Sequence, residues 1–123
     1  PREFRSSAGL PIFVGRSNRQ NDRLTTRTAE KWDLWFHTQK IHGSHVILST
    51  NGEQPDAQSI AEAASLAAYF SQAQNSTKVP VDFTQVKFVK KPAAAKPGVV
   101  VYTNYQTVLA DPNEELVKHL LVK

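Results

Sequence analysis

The chain has 123 residues, 40% of them hydrophobic and 21% charged, and a formal net charge of +4, values typical of one globular domain and not of a disordered segment. The absence of cysteine excludes disulfides, thiolate metal sites and cysteine nucleophiles, and no apolar run approaches the roughly 20 residues that cross a bilayer. The modest positive charge permits a polyanionic partner, so the clustering of basic residues has to decide whether one is bound.

The N-terminal part of the sequence predicts a β-hairpin and then a short helix. Residues 3–7 and 10–15 have the alternation of two strands around a turn. In the polar stretch that follows, Asn18 or Asn21 is expected to cap a helix that runs toward Glu30. The numbering begins at a proline and the chain contains no methionine, so we expect a fragment of a longer protein.

A second hairpin is predicted from residues 33–38 and 45–50. Because side chains alternate along a strand, Asp33, Trp35 and His37 share one face, and the two apolar residues between them share the other. This hairpin therefore has an apolar side for packing and a mixed aromatic and polar side.

The clearest helix in the sequence spans residues 56–74. Asp56 can cap it, and apolar residues recur along one side next to a row of alanines, which allow close packing against a sheet. A long strand over residues 79–91 follows. A loop then leads into a third predicted hairpin, formed by residues 99–102 and 105–109.

A final short helix is predicted near the C-terminus. Asp111 or Asn113 caps it, and Leu116, Leu120 and Leu121 face inward. The elements together predict an α+β domain whose mainly antiparallel sheet is built from hairpins, with one long Ala-rich helix and short helices packed on it.

Basic residues cluster in two segments. In the first, which we call the arginine segment, the arginines recur at spacings of three and four, as along one face of a helix: Arg16, Arg19, Arg23 and Arg27. Polar side chains between them suit phosphate and base-edge contacts: Asn18, Gln20, Asn21 and Asp22. The second, the lysine segment, carries Lys87, Lys90, Lys91 and Lys96. Two such segments favour an anion-binding face over ordinary solvated surfaces.

Trp35 has two interpretations. A lone aromatic residue in a strand is usually part of the core. Its face also carries the polar Asp33 and His37, however, and a half-exposed ring flanked by hydrogen-bonding groups can stack on a base. The sequence leaves both open.

Catalysis and metal binding are disfavoured. Asp33 and His37 lie four residues apart in one strand, about 13 Å, too far for a hydrolase pair that would activate Ser44. The spacing of His37, His42 and His45 matches no common metal motif. We therefore predict no enzymatic activity and no cofactor.

Three ordered motifs resemble those of the NFACT-R domain, the RNA-binding domain of the NFACT ribosome quality-control family: Gly15–Thr25, Asp33–His37 and Gly43–Leu48. The similarity continues through Val81–Thr84 and Lys96–Val100 and covers nearly the whole chain. One departure is His42, which stands where the family usually has a proline before Gly-Ser-His.

The resemblance implies the C-terminal module of a factor that binds stalled large ribosomal subunits and recruits tRNA for untemplated tailing of the nascent chain. The implied partners are tRNA and large-subunit rRNA, and the implied setting is cytoplasmic, without a membrane, with a monomeric domain. Bacterial members are also labelled fibronectin- or fibrinogen-binding proteins, so protein binding through exposed strand edges is the alternative.

The predicted RNA-binding set joins the three motifs to the lysine segment: Arg16, Asn18, Arg19, Gln20, Asn21, Asp22, Arg23, Asp33, Trp35, His37, Gly43, Ser44, His45, Lys87, Lys90, Lys91 and Lys96. Within it we predict a division of roles. Arg16 and Arg19 contact the ligand, while the short side chains of Asn21 and Asp22 hold their loop against the Trp35 hairpin.

Overall fold

The computed structural model describes all 123 residues and has the predicted α+β class. Its helices are α1 (Asn18–Arg23), α2 (Ala57–Tyr69) and α3 (Glu114–Leu120). Its strands are β1 (Arg2–Arg5), β2 (Pro11–Val14), β3 (Leu34–Thr38), β4 (Val46–Leu48), β5 (Val79–Gln85), β6 (Val89–Lys90), β7 (Val101–Tyr102) and β8 (Gln106–Ala110). None of the helices has the combination of length and apolar character that a membrane span requires.

Six strands form one antiparallel sheet in the order β1-β2-β4-β3-β5-β8, and β6 and β7 form a separate two-stranded ribbon. The first two predicted hairpins are confirmed, because β1 pairs with β2 and β3 pairs with β4. This order places β3, with Trp35 and His37, in the interior of the sheet.

The two faces of the sheet bury two separate groups of apolar residues. Helix α2 packs its alanines against the face that carries Phe36 and, with α3, encloses a major core of 17 buried residues. The opposite face carries a minor cluster of four buried residues: Leu24, Trp35, Ile47 and Val86. The alternation along β3 thus assigns Phe36 and Trp35 to opposite cores, as the sequence predicts.

Asp56 caps α2 by accepting a hydrogen bond from the Ser59 amide at 3.0 Å, as predicted. The helix ends at Tyr69, five residues before the predicted end, because the next residues leave helical geometry and pair with the β3–β4 turn through a bridge between Gly43 and Ser71.

Asn113 caps α3 through the Leu116 amide at 3.0 Å. Leu120 is buried as predicted, but the inward placement of Leu121 is wrong. Leu121 follows the helix end and forms a bridge with Phe4 of β1, and its side chain is exposed. The C-terminal residues therefore extend along the outer edge of β1.

The predicted strand over residues 79–91 is confirmed only as far as Gln85, and the third hairpin is wrong. Strand β5 ends at Gln85, and a 3₁₀ turn over Val86–Phe88 carries the chain off the sheet. β7 then pairs with β6, and β8 returns to pair with β5. Residues 86–102 fold over the minor cluster because this buries the large indole of Trp35, which a flat hairpin would leave in water.

Helix α1 is capped by Ser17, whose hydroxyl accepts from the Gln20 amide at 3.2 Å. The prediction that Asn18 or Asn21 caps this helix is wrong. A π-helical turn, Leu24–Thr28, continues the helix toward β3. Leu24 points into the minor cluster. The arginine segment is thereby fixed on the same face of the sheet as Trp35.

Candidate nucleic-acid interface

The arginine segment presents free positive charge. Arg16, Arg19, Arg23 and Arg27 are all exposed, and none of them forms an ion pair with an acidic side chain. Gln20 stabilises the start of the segment, because its side-chain oxygen accepts from the Arg16 amide at 2.9 Å. The charges therefore stand on a helical segment whose start is held in place.

The lysine segment, which in the structure is the stretch of residues 86–102, covers the same face of the sheet. Val86, Val89 and Tyr102 of this segment pack in the minor cluster beside Leu24 of the arginine segment. Its exposed lysines include three with no acidic partner: Lys87, Lys90 and Lys96. Two basic segments far apart in sequence thus lie on one face.

Asp22 joins the two segments. One of its carboxylate oxygens lies 2.8 Å from Lys91 Nζ and accepts from the Gly98 amide at 3.1 Å. Hydrogen bonds from the Lys91 ammonium and, to a smaller extent, from the Gly98 amide lower the pKa of Asp22 below its usual value. We call this contact, together with the His45 bond described next, the Gly98 latch.

His45 completes the latch from the sheet. Its Nε2 lies 3.1 Å from the Gly98 carbonyl, which can only accept, so Nε2 carries the proton and Nδ1 accepts from the Thr25 hydroxyl at 2.8 Å. Burial, and then the neighbouring His37, lower the pKa of His45 to about 4. The imidazole is therefore neutral at physiological pH.

Position 98 strongly favours glycine over any other residue. Its φ of +84° is in the left-handed region, and a Cβ there would lie 3.2 Å from the Asn18 carbonyl oxygen. Only glycine adopts this backbone at low cost and lets the lysine segment approach α1 so closely.

A cleft of about 530 Å³, which we call the Ser44 cleft, lies between the arginine segment and the β3–β4 turn. It brings together Arg16 and Asn18 from one sequence motif and Gly43 and Ser44 from another. The turn is held by the Ser44 amide, which donates to the Phe70 carbonyl at 3.0 Å. The cleft is mainly polar and suits a hydrogen-bonding, anionic ligand.

A second cavity of about 420 Å³, the aromatic pocket, adjoins the Ser44 cleft and shares His42 and Gln72 with it. Trp35, His37, His45 and Tyr102 form much of its wall. Trp35 is 1% exposed, so the core interpretation holds and its ring does not present a free face to a base.

The predicted holding role of Asn21 is confirmed. Its side-chain oxygen accepts from the His45 amide at 3.1 Å and so ties the arginine segment to the Trp35 hairpin. Gly15 leaves room for this contact, because a Cβ at that position would lie 1.9 Å from the same oxygen. Asp22 also holds the loop, but against Gly98 and not against the hairpin.

A family model for the RNA-binding domain of NFACT proteins matches residues 1–104, most of the chain. The chain belongs to this family. The match agrees with the sequence motifs and with the basic face on which they lie.

Curated relatives place the domain in longer proteins. The chain is 50% identical over 114 residues to the Rqc2 homolog RqcH of Bacillus subtilis and 42% identical over 111 residues to that of Streptococcus suis. These matches cover 93% and 90% of the chain but 20% of each relative. The NFACT RNA-binding domain therefore spans about a fifth of their length.

A solved structure shares the fold closely. It is the C-terminal part of the fibronectin/fibrinogen-binding protein from Streptococcus suis, with a TM-score of 0.95 and 40% identity. The similarity covers 99% of the NFACT RNA-binding domain described here and 49% of that chain.

Asp33 contacts only the backbone of its own domain and stabilises the fold. It is buried, and its two carboxylate oxygens accept from the amides of Glu30 and Thr50 at 2.9 and 3.1 Å. Both oxygens are thus engaged in fixing the ends of the β3–β4 hairpin, and we leave Asp33 out of the ligand-contacting set.

Sequence reasoning missed most of the lining of the aromatic pocket, including Lys40, Gln72 and Tyr102. Tyr102 donates from its hydroxyl to the buried carboxylate of Asp82 at 2.6 Å, which fixes the lysine segment to β5. The Val99–Tyr102 pattern indicated only a strand, and no local signal marks Gln72, which lies in the turn after α2.

The three histidines of the β3–β4 hairpin do not form a metal site. No group of three or more His, Cys, Asp or Glu side chains is arranged to hold a metal ion. Both ring nitrogens of His45 are already hydrogen-bonded.

Proposed function

We propose that this domain binds RNA, without catalysing a reaction, through the face formed by the arginine and lysine segments. The observation that carries the proposal is the Gly98 latch, by which one carboxylate holds two basic segments side by side. A structural purpose alone would not require so many exposed, unpaired cations next to each other.

Phosphates are the groups that this face suits best. Arg16 and Arg19 offer planar, multiple donors for phosphate oxygens, and Lys87, Lys90 and Lys96 add point charges. The Ser44 cleft supplies the polar side chains of Asn18 and Ser44 for sugar or base-edge contacts.

In a longer protein, we infer, the domain contacts tRNA and large-subunit rRNA on stalled large ribosomal subunits and so supports C-terminal tailing of nascent chains in the cytoplasm. The motif resemblance and the identity to RqcH proteins support this role. The domain would act there as a monomeric contact module.

Binding of fluorescent tRNA to the isolated domain, followed by anisotropy over a range of salt concentrations, tests the proposal. Arg19→Ala should weaken binding and reduce the slope of log affinity against log salt by about one, with an unchanged melting temperature. Lys118→Ala is the matched control, because Lys118 lies on α3 and pairs with Glu114 at 3.2 Å. It should alter neither quantity.

Salt-independent binding, or equal losses in Arg19→Ala and Lys118→Ala, would contradict the electrostatic surface. Immobilised fibronectin serves as the competing ligand. Saturable fibronectin binding with no measurable tRNA binding would favour the protein-interaction alternative instead.

A further inference from the structure

We propose that the aromatic pocket receives one unpaired nucleobase from the RNA strand whose phosphates lie on the basic face. The inference rests on the proposed function and adds to it a preference for single-stranded RNA. Since Trp35 is covered, the base enters a cavity and does not stack on an exposed ring.

The walls of the pocket suit a flat, unsaturated ring. Trp35 and His37 lie parallel, with centroids 5.8 Å apart, and His45 meets Trp35 edge-on at 5.4 Å. Tyr102 closes another side, with its ring centroid 4.6 Å from that of Trp35. His37 and Tyr102 are half-buried and offer their rings to the cavity, and the buried rings of Trp35 and His45 support them from behind. Such rings provide stacking contacts of the kind that single-stranded RNA modules use for splayed bases.

The pocket also carries an unmet hydrogen-bonding need. Trp35 Nε1 is the one buried side-chain nitrogen or oxygen in the domain that has no partner. An indole N–H is only a donor, so it requires an acceptor. The carbonyl oxygens and ring nitrogens at the edge of a base are such acceptors, but the covered nitrogen meets one only when the side chains over the indole move aside as the base enters.

Charge around the pocket favours a nucleotide over a peptide. Burial lowers the pKa of both His37 and His45, so the inner walls are neutral, as a neutral base requires. The exposed Lys40 lies on the lining, and the adjoining Ser44 cleft carries Arg16. A base inside would leave its phosphates beside these cations, and no carboxylate lines the pocket to attract a basic peptide.

The experiment compares a 12-nucleotide single-stranded RNA with a blunt duplex of the same sequence, using the folded domain labelled with ¹⁵N. Trp32 and Trp35 give the only two indole N–H signals, and Trp32, which does not line the pocket, is the internal control. We expect the single strand to bind about tenfold more tightly, which corresponds to ~1.4 kcal/mol and is the size of effect that stacking of one base produces. It should shift the Trp35 indole signal and leave that of Trp32 in place.

Trp35→Phe keeps a ring but removes the N–H, and it should abolish most of the preference for the single strand. Should Trp35→Phe fail to fold, His37→Ala tests the same wall at a half-buried position. Arg19→Ala, in contrast, should weaken the single strand and the duplex alike.

Equal affinity for the two RNAs with an unmoved Trp35 signal would overturn the pocket assignment and leave RNA binding intact. Absence of binding to either RNA would overturn both proposals. A Trp35 shift with a proline-rich peptide but not with RNA would identify the pocket as a peptide site and refute the nucleobase.

Discussion

At the scale of single residues, Asp22 links parts of the chain that are 76 positions apart. Its carboxylate serves an ammonium and a backbone amide at once, and each contact uses a charge-assisted bond, the stronger kind. We therefore expect Asp22 to hold the surface together without contacting the ligand.

Asp22→Ala should lower the free energy of unfolding by about 1–2 kcal/mol, because the Gly98 amide and Lys91 lose their common partner. Asp22→Asn should cost less, since an amide oxygen can still accept from Gly98. Urea denaturation of the three proteins gives the comparison. Full stability in Asp22→Ala with loss of RNA binding would instead place Asp22 in the site itself.

At the scale of elements, helix α1 and the β3–β4 hairpin interlock. Asn21 reaches across to the His45 amide, and Gly15 leaves the space that this side chain occupies. The geometry of the Ser44 cleft depends on this pair, because both cleft walls are positioned by it.

Gly15→Ala should destabilise the domain by about 2–3 kcal/mol, since the new methyl group would displace the Asn21 side chain and leave the buried His45 amide without an acceptor. In an Asn21→Ala background the same substitution should cost at least ~1 kcal/mol less. A double-mutant cycle from thermal or urea unfolding measures the coupling. Strictly additive costs would show that the two residues do not compete for the same space.

The sequence predicts the elements whose signals are local. The alternation in β3 places Phe36 and Trp35 on opposite faces, and Asp56 is identified as a cap by its position before an apolar run. For α3 the sequence offers two caps, Asp111 and Asn113, and the structure uses Asn113. The path of residues 86–102 is not predictable in this way. Its valines alternate equally well in a sheet strand or in a cover, and the choice depends on Trp35, some 50 positions earlier.

The same limit applies to the candidate interface. Short polar side chains after an arginine indicate a held loop, which identifies Asn21 and Asp22 as anchors. The aromatic pocket has no such local signal, because its walls come from four separate parts of the chain: β3, the β3–β4 turn, the turn after α2 and the lysine segment.

At the scale of the whole molecule, the two faces of the sheet differ in charge. The helical layer carries Asp56, Glu114 and Glu115, whereas the opposite layer carries the arginine and lysine segments. This separation would orient the domain toward a polyanion, with its helices away from the ligand.

Stability should depend on pH through His45. Its pKa of about 4 in the folded domain lies below the ordinary value of 6.5, because burial disfavours the imidazolium. The unfolded chain therefore binds more protons between these values, so stability is complete above about pH 6.5 and falls toward pH 4, by on the order of 3 kcal/mol. The lowered pKa of His37 acts in the same direction.

Thermal unfolding between pH 7.5 and 4.5 measures this dependence, and His45→Gln is the matched variant because it removes the titrating ring. The variant should be less stable at pH 7 but show a flatter profile. Asp22 does not confuse the result, since its stabilisation is lost only when the pH falls below its ordinary pKa of 3.8. An equally steep profile in His45→Gln would assign the effect to another group.

The Gly98 latch also bears on the order in which the domain assembles. Short hairpins such as β1–β2 close quickly because their ends are near in sequence, whereas bringing Asp22 to Gly98 requires the closure of a long loop. We therefore expect the cover over Trp35 to form late, after β5 has docked on β3. An incomplete chain that ends before residue 98 would display the arginines but would have no closed pocket.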